Sequence, residues 1–192
     1  MKMFRRLQSR GLASLFVGLL LAGCDPGDSP VADSGSAPPP PAPPPPPTEV
    51  RQFHLDHAQP KLHVVKLWVG AEVLEAEVAV TATEVATGMM FRKEMGENEG
   101  MLFIFPRPQQ VAFYMRNTLI PLSAAYISSE GNILEIHDLQ PKDEKPVPAK
   151  SDEVQFVLEV KQGWFERHKI PVGTLVRTEF GSFQESFFRR KK

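Results

Sequence analysis

Residues 99–105 read Glu-Gly-Met-Leu-Phe-Ile-Phe, and residues 154–160 read Val-Gln-Phe-Val-Leu-Glu-Val. Short runs of apolar, β-branched and aromatic residues predict strands, because such side chains pack well on a pleated surface. The same pattern continues on both sides of these two segments. It predicts strands at 62–69, 73–80, 101–105, 111–115, 124–128, 133–137, 154–160 and 174–178.

Turn residues separate several of these strands. Ser129-Glu130-Gly131-Asn132 predicts a hairpin turn between the fifth and sixth strands, and Gly70 predicts one between the first two. Two polar loops are expected at 95–100 and 140–152. The prolines of the second loop lack amide donors, so it is expected to form no regular ladder; it either borders a site or is mobile surface.

Helix signals are few. Thr81 followed three residues later by Glu84 forms a capping box, which predicts a helix to about Met90. A second short helix is predicted at 164–168. The fold class is therefore α+β and β-rich, with a compact, mostly antiparallel sheet and two short helices.

The first 23 residues have the pattern of a secretory signal peptide. A basic start precedes an apolar run at 12–21, which is too short to cross a hydrocarbon layer of about 30 Å. Leu21-Ala22-Gly23-Cys24 resembles the bacterial lipobox, in which the cysteine is acylated before cleavage on its amino side. The alternative is an ordinary signal peptide that ends by chance in a cysteine. We expect lipidation of Cys24 and anchoring to the membrane of the cell envelope, with the domain outside the cytoplasm.

Residues 24–58 are expected to be a disordered, proline-rich linker. Nine of the ten residues at 38–47 are proline, which favours an extended polyproline helix. From Asp25 to Thr48 such a chain reaches at most about 75 Å, as a semi-rigid spacer. The alternative is a docking ligand for an aromatic-lined groove.

The rest of the chain is expected to be one β-rich domain at 59–179 and a tail at 180–192. The tail combines Phe183, Phe187 and Phe188 with four final basic residues, so it either touches an anionic membrane surface or is a frayed end, the plainer interpretation.

Charge and cysteine content exclude several classes of function. Removing the four basic leader residues from the 22 in the chain leaves 18, against 23 acidic residues, so the mature chain is acidic and unsuited to nucleic-acid binding. Cys24 is the only cysteine, so the chain has no intramolecular disulfide and its domain no thiol nucleophile.

Three blocks carry a family resemblance: residues 88–92 (Gly-Met-Met-Phe-Arg), residues 99–105, and residues 113–122 (Phe-Tyr-Met-Arg-Asn-Thr-Leu-Ile-Pro-Leu). Together they resemble domain-of-unknown-function family 192 over about residues 62–176. The resemblance implies a barrel-like β fold, usually in small exported or membrane-linked proteins, and no assigned reaction. The family pattern commonly has an aspartate after the Ile-Pro-Leu, where this chain has Ser123. If that acid were catalytic the change would impair the protein, whereas serine can replace it as a turn cap.

Polar residues within the apolar blocks are the candidate site. Arg92, Asn117 and Thr118 must find partners or face a cleft, since burying them alone is costly. With Glu99 and Met115 they form the predicted ligand-binding set, in which Arg92 would suit a carboxylate or phosphate. The alternative is structural: Asn117 and Thr118 satisfy a turn, and Arg92 pairs with Glu99 or Glu94.

Metal binding is the weaker interpretation of the remaining motifs, and we expect neither a metal nor a cofactor. Clustered methionines could hold Cu(I), but methionine beside aromatics usually fills a core. The cluster comprises Met89, Met90, Met101 and Met115. His54, His57 and His63 have zinc-ligand chemistry but lie where the linker meets the domain, next to Pro60.

The sequence favours a non-enzymatic, membrane-tethered module that binds a ligand or partner protein in the envelope. No nucleophile or metalloprotease motif is present, and no catalytic residue is predicted. The alternative is a hydrolase of envelope polymer that uses Glu99 or Glu159 as general acid or base. Ligand, partner and oligomeric state stay open.

Overall fold

The computed structural model describes residues 53–189. The expected signal peptide, Cys24, nearly all of the proline-rich linker and the last three basic residues lie outside this part of the chain. None of the helices in the described part is long and apolar enough to cross a bilayer.

Within residues 53–189, nine strands, two short α-helices and one π-helical turn follow one another. The strands are β1 (Val64–Val69), β2 (Glu72–Ala79), β3 (Glu99–Gln109), β4 (Ala112–Phe113), β5 (Leu122–Ser128), β6 (Ile133–Leu139), β7 (Val147–Pro148), β8 (Val154–Lys161) and β9 (Val176–Thr178). The helices are α1 (Ala82–Thr87) and α2 (Trp164–Arg167), and the π-helical turn is Gln184–Phe188.

Seven strands form one curled sheet in the order β6-β5-β8-β3-β2-β1-β9, and β4 pairs with β7. All pairs are antiparallel except β2 with β3, which α1 connects. The two edge strands meet at one end, where Ile133 N donates to Thr174 O at 3.0 Å and Val176 N donates to Gly131 O at 2.8 Å. Because the edges meet only at this end, the curled sheet forms a half-barrel. The predicted β-rich α+β fold class is confirmed.

The central strands β3, β5 and β8 are buried on both faces. Because side chains alternate along a strand, Leu102, Phe156 and Leu158 pack into the core on one face. Met101 and Phe103 join a second core on the other face. The half-barrel therefore needs a further layer of chain over its second face.

Part of that layer comes from the segment at 140–152. Val147 pairs with Phe113 and Pro148 with Ala112, so this segment, which was expected to form no regular ladder, does form one two-residue pair. A two-residue pair tolerates the proline that a longer ladder would exclude. Ala149 is buried, and its N donates to Val111 O at 2.8 Å.

The local signals are largely confirmed. The capping box forms, although α1 ends at Thr87 rather than near Met90. The hairpins at Gly70 and at 129–132 both form, and the second helix lies at the predicted place. β3 continues four residues beyond its predicted end, whereas β4 is shorter than predicted.

The beginning of the tail is part of the fold, so the expectation of a frayed end is wrong there. Phe183 is fully buried, and its ring centroid lies 4.4 Å from that of Phe156. Phe187 and Phe188 also pack near Phe156, at 6.2 and 6.0 Å. The core that contains Leu102 and Phe156 therefore extends beyond residue 179, where the domain was predicted to end.

Replacing Phe183 with Ala is expected to lower the free energy of unfolding by about 3–5 kcal/mol, because it empties a fully buried ring site. Chemical denaturation of the full chain measures this loss. Phe180→Ala is the matched control, since Phe180 is 70% exposed. Equal stability of the two variants would contradict the docking of the tail.

Candidate functional site

A cavity of about 290 Å³ lies over the second face of the sheet. One wall is α1 with the segment that follows it, and the other is the stretch from the middle of β3 through β4. Its lining residues are Val85, Ala86, Thr87, Gly88, Met89, Met90, Phe103, Phe105, Gln109, Gln110, Val111, Ala112, Phe113, Tyr114, Thr118 and Glu159. The volume is enough for a small organic ligand.

The helical wall is held by caps at both ends of α1. Thr81 N donates to Glu84 Oε2 at 2.9 Å, and Glu84 N donates to Thr81 Oγ1 at 3.3 Å. At the other end Gly88 adopts φ +48°, and Phe103 ring atoms stand 3.2 Å from where its Cβ would lie. Buried Gln59 donates to Gly88 O at 2.9 Å. Glycine is thus required where the chain turns into the cavity wall.

The opposite wall is aromatic. The rings of Phe103 and Phe113 meet edge to face with centroids 5.0 Å apart, and Phe113 contacts Tyr126 at 6.0 Å. Tyr126 Oη donates to Val147 O at 2.6 Å, which ties the wall to the short strand β7. The rings are held by mutual packing and by this hydrogen bond.

Glu159 is the buried carboxyl of the cavity. It lies on β8 opposite Met101 of β3 and Ala124 of β5, and only 4% of it is exposed. Its oxygens are not sealed in, since the only fully enclosed side-chain polar atom without a partner among residues 53–189 is Trp164 Nε1. The carboxyl therefore has its access through the cavity that it lines.

Burial raises the pKa of Glu159 to about 8, and no hydrogen bond or charge of the described residues lowers it. At neutral pH the empty site thus holds mainly a protonated carboxyl, which can both donate and accept a hydrogen bond. A buried acid with a strongly raised pKa beside a cavity of mixed apolar and polar lining is an arrangement that functional sites often use.

Arg92 does not line this cavity. Its Nη1 and Nη2 donate to Glu77 Oε1 and Oε2 at 2.6 and 2.8 Å. Burial raises the pKa of Glu77, but hydrogen bonds from Arg92 and Leu62 N outweigh it and leave that pKa lowered. The prediction that Arg92 forms an ion pair with a glutamate is therefore right. The partner is Glu77 of β2, however, and neither Glu99 nor Glu94.

The other predicted site residues divide. Thr118 is buried and lines the cavity. Asn117 adopts φ +55° and its O accepts from Phe91 N at 2.8 Å, so it shapes a turn beside the cavity. Met115 is buried in the second core. Glu99 is exposed and accepts from Gly96 N at 2.8 Å, away from this lining.

Ser123 has a capping role. Its Oγ accepts from Gly163 N at 2.9 Å and donates to Asp138 on the neighbouring strand β6. The carboxylate that the family pattern has at position 123 is absent, but the carboxylate of Asp138 on β6 contacts Ser123. The departure from the family pattern thus falls on a turn contact.

The motifs considered for metals lie in ordinary surroundings. Met89, Met101 and Met115 pack in the second core, and buried Met90 lines the cavity. His57 Nδ1 lies 2.6 Å from Asp56 Oδ1, and His54 Nδ1 lies 2.9 Å from Leu55 O. Across residues 53–189, no three histidine, cysteine, aspartate or glutamate side chains are grouped to hold a metal ion.

Glu159 was predicted from the sequence only as a possible general acid or base, and most of the cavity wall was not predicted. The available signal was an acid placed between Leu158 and Val160 in an apolar strand. The wall itself has no local signal, because it joins α1 to residues near 110 through tertiary packing.

The described residues thus define a small β-rich domain in which a half-barrel sheet carries a ligand-sized cavity with a buried carboxyl. The chain belongs to domain-of-unknown-function family 192 (DUF192), described as an "Uncharacterized ACR", whose model matches residues 65–178. The family resemblance found in the sequence is therefore confirmed. No curated protein matches the chain.

Two crystal structures are similar. One is a protein of unknown function from Novosphingobium aromaticivorans, with 36% identity and a TM-score of 0.58 over 60% of this chain and 86% of that chain. The other, from Sinorhizobium meliloti, is described as a "putative transcription regulator" and has 28% identity and a TM-score of 0.60 over 62% of this chain and 97% of that chain. Both support the fold.

Replacing Glu159 with Gln is expected to stabilise the domain increasingly as pH rises from 5 to 8. The folded-state pKa of about 8 lies above the ordinary 4.5, so wild-type stability falls over this interval as the unfolded chain loses its proton first. The difference should grow by up to about 1.4 kcal/mol per pH unit. Urea unfolding at pH 5, 6.5 and 8 measures it.

Glu153→Gln serves as the control, since Glu153 is exposed just before β8. It should show no such trend. A constant difference between Glu159→Gln and wild type at all three pH values would show that Glu159 is not held protonated.

Proposed function

We propose that this chain is a lipid-anchored protein of the cell envelope whose domain binds a small ligand in the cavity over Glu159. The observation that carries the proposal is a buried carboxyl without an internal partner, placed at a cavity of about 290 Å³. Keeping such a group costs folding free energy, so a core position is a poor place for it unless it meets a ligand.

The anchor follows from the leader. Cys24 after Leu21-Ala22-Gly23 supplies the acylation site, and the proline-rich linker holds the domain at a distance from the membrane surface. We therefore propose that the domain lies outside the cytoplasm, in the periplasm if the cell has two membranes. A tethered domain of this kind suits a binding role close to the membrane.

Nucleic acid is not the partner that we propose. The mature chain is acidic, and no Lys, Arg or His lines the cavity. The description of the Sinorhizobium meliloti protein as a transcription regulator therefore does not carry over to this chain.

A hydrolase of envelope polymer is the second candidate. The observation in its favour is Glu159 itself, since a carboxyl with a pKa of about 8 is suited to act as a general acid. A glycosidase also needs a second carboxylate facing the same bond. Glu99 does not line the cavity, and Glu159 is the one carboxyl among its lining residues. Binding without turnover is the better-supported function.

Blocking the cavity is expected to abolish ligand binding. Ala86 lines the cavity on α1, whereas Ala82 on the same helix is exposed and does not, so Ala86→Trp and Ala82→Trp are matched variants. The measurement is the ¹³C NMR shift of methionine methyls in the full chain, with indole, 2-phenylethanol, 2-phenylethylamine and 3-phenylpropionate as probes.

At least one probe should shift the methyls of Met89 and Met90 in wild type and Ala82→Trp but not in Ala86→Trp. If no probe shifts them, or if Ala86→Trp responds like wild type, the cavity is not a ligand site. Release of reducing ends from purified peptidoglycan by wild type, lost in Glu159→Gln, would favour the hydrolase instead.

Cys24→Ala is expected to lose the lipid. In cells fed a clickable palmitate analogue, wild type should be labelled and remain in the membrane fraction, whereas Cys24→Ala should be unlabelled and leave that fraction. Ser9→Ala, within the leader but outside the lipobox, is the control. Equal labelling of Cys24→Ala and wild type would contradict the anchor.

A further inference from the structure

We propose, building on the binding function above, that the ligand of this cavity is a small organic cation: an ammonium group on an apolar body that pairs with the carboxylate of Glu159. Four properties of the cavity favour such a ligand: the signs of the charges around it, the character of its walls, its size, and the protonation of its carboxyl.

The charges around the cavity disfavour an anion. Glu159 is the single ionisable acid or base in the lining apart from the phenol of Tyr114, and no basic side chain among the described residues reaches the lining. Arg92 forms an ion pair with Glu77 and does not line the cavity. An anionic ligand would thus enter a cavity that offers it no positively charged partner, which is unfavourable.

The walls suit a cation. Phe103, Phe105, Phe113 and Tyr114 contribute aromatic surface, whose faces attract ammonium and guanidinium groups. Tyr114 already shows this chemistry, because Arg116 Cζ lies 5.6 Å from its ring centroid. Arg116 is itself neutralised by Glu144, to which its Nη2 donates at 2.8 Å. The site thus combines aromatic rings with one acid.

The cavity sets the size of the ligand. A dry cavity of about 150 Å³ holds benzene, so about 290 Å³ holds a body of roughly twelve non-hydrogen atoms. A phenyl or short alkyl group with one ammonium fits. A polymer chain does not fit inside, although one cationic end of it could enter.

Binding of a cation is coupled to a proton. The empty site holds the protonated carboxyl, so an ammonium ion displaces that proton to solvent and pairs with the carboxylate that remains. Met101 and Ala124 flank Glu159 and are uncharged. Two tyrosines are also near: Tyr114 in the lining, and Tyr126, whose pKa is raised chiefly by its own burial, so that it stays neutral. On the next strand His137 lies beyond Ala124, and its Nε2 is 2.9 Å from Glu135 Oε2. At pH 7 and below nearly one proton should therefore be released per ligand bound, falling to about half a proton at pH 8.

The test compares three probes of similar shape: 2-phenylethylamine, 2-phenylethanol and 3-phenylpropionate. Isothermal titration calorimetry with the full chain in mild detergent, run at pH 6 to 9 in buffers of different ionisation enthalpy, gives affinity and proton release together. Near neutral pH the amine should bind at least about tenfold more tightly than the alcohol. Its affinity should rise about tenfold from pH 6 to 7 and level off above pH 8.

Glu159→Gln should lose the preference for the amine over the alcohol, the pH dependence of amine binding and the proton release. Glu153→Gln should keep all three. Equal or tighter binding of the alcohol or the carboxylate would overturn the cationic ligand and leave the cavity as a binding site. Binding of none of the probes would overturn both proposals.

Discussion

The desolvation of one carboxyl group is the constraint on which this structure turns. Glu159 lies on a strand buried on both faces, where an ionised carboxylate without a partner would be very costly. The protein meets this constraint by keeping the group protonated and by leaving it open to a cavity instead of enclosing it. The fold thus keeps one uncharged carboxyl group, accessible from the cavity, among buried apolar side chains.

The architecture explains why the cavity exists. A half-barrel of seven strands closes its inner core, with the tail residue Phe183 completing it. Its second face is covered by short pieces that differ in kind: α1, the β4–β7 pair and their connecting segments. Such a layer packs less evenly than a sheet or a long helix, and its gap falls over β8. The sheet forms a regular base for the cavity, and α1, the β4–β7 pair and their connecting segments determine its shape.

The sequence predicted what depends on neighbouring residues. Strand alternation, the capping box at Thr81 and the two hairpin turns are local signals, and all of them produced the expected elements. It did not predict what depends on distant contacts: Arg92 finds Glu77 on another strand, Val147 pairs with Phe113, and Phe183 reaches Phe156. The site belongs mainly to the second group, because its walls come from segments that meet only in the folded domain. Thr118, which the sequence marks as a polar residue within an apolar block, does line the cavity.

The most direct test of the account is the ionisation of Glu159 in the folded protein. Following its side-chain carboxyl carbon by ¹³C NMR from pH 4 to 10, with the resonance assigned by its absence in Glu159→Gln, gives the midpoint without reference to any ligand. A carboxyl held protonated by its burial is expected to give a midpoint near pH 8. A midpoint near the ordinary 4.5 would show that the carboxyl is solvated or paired, and would contradict the account.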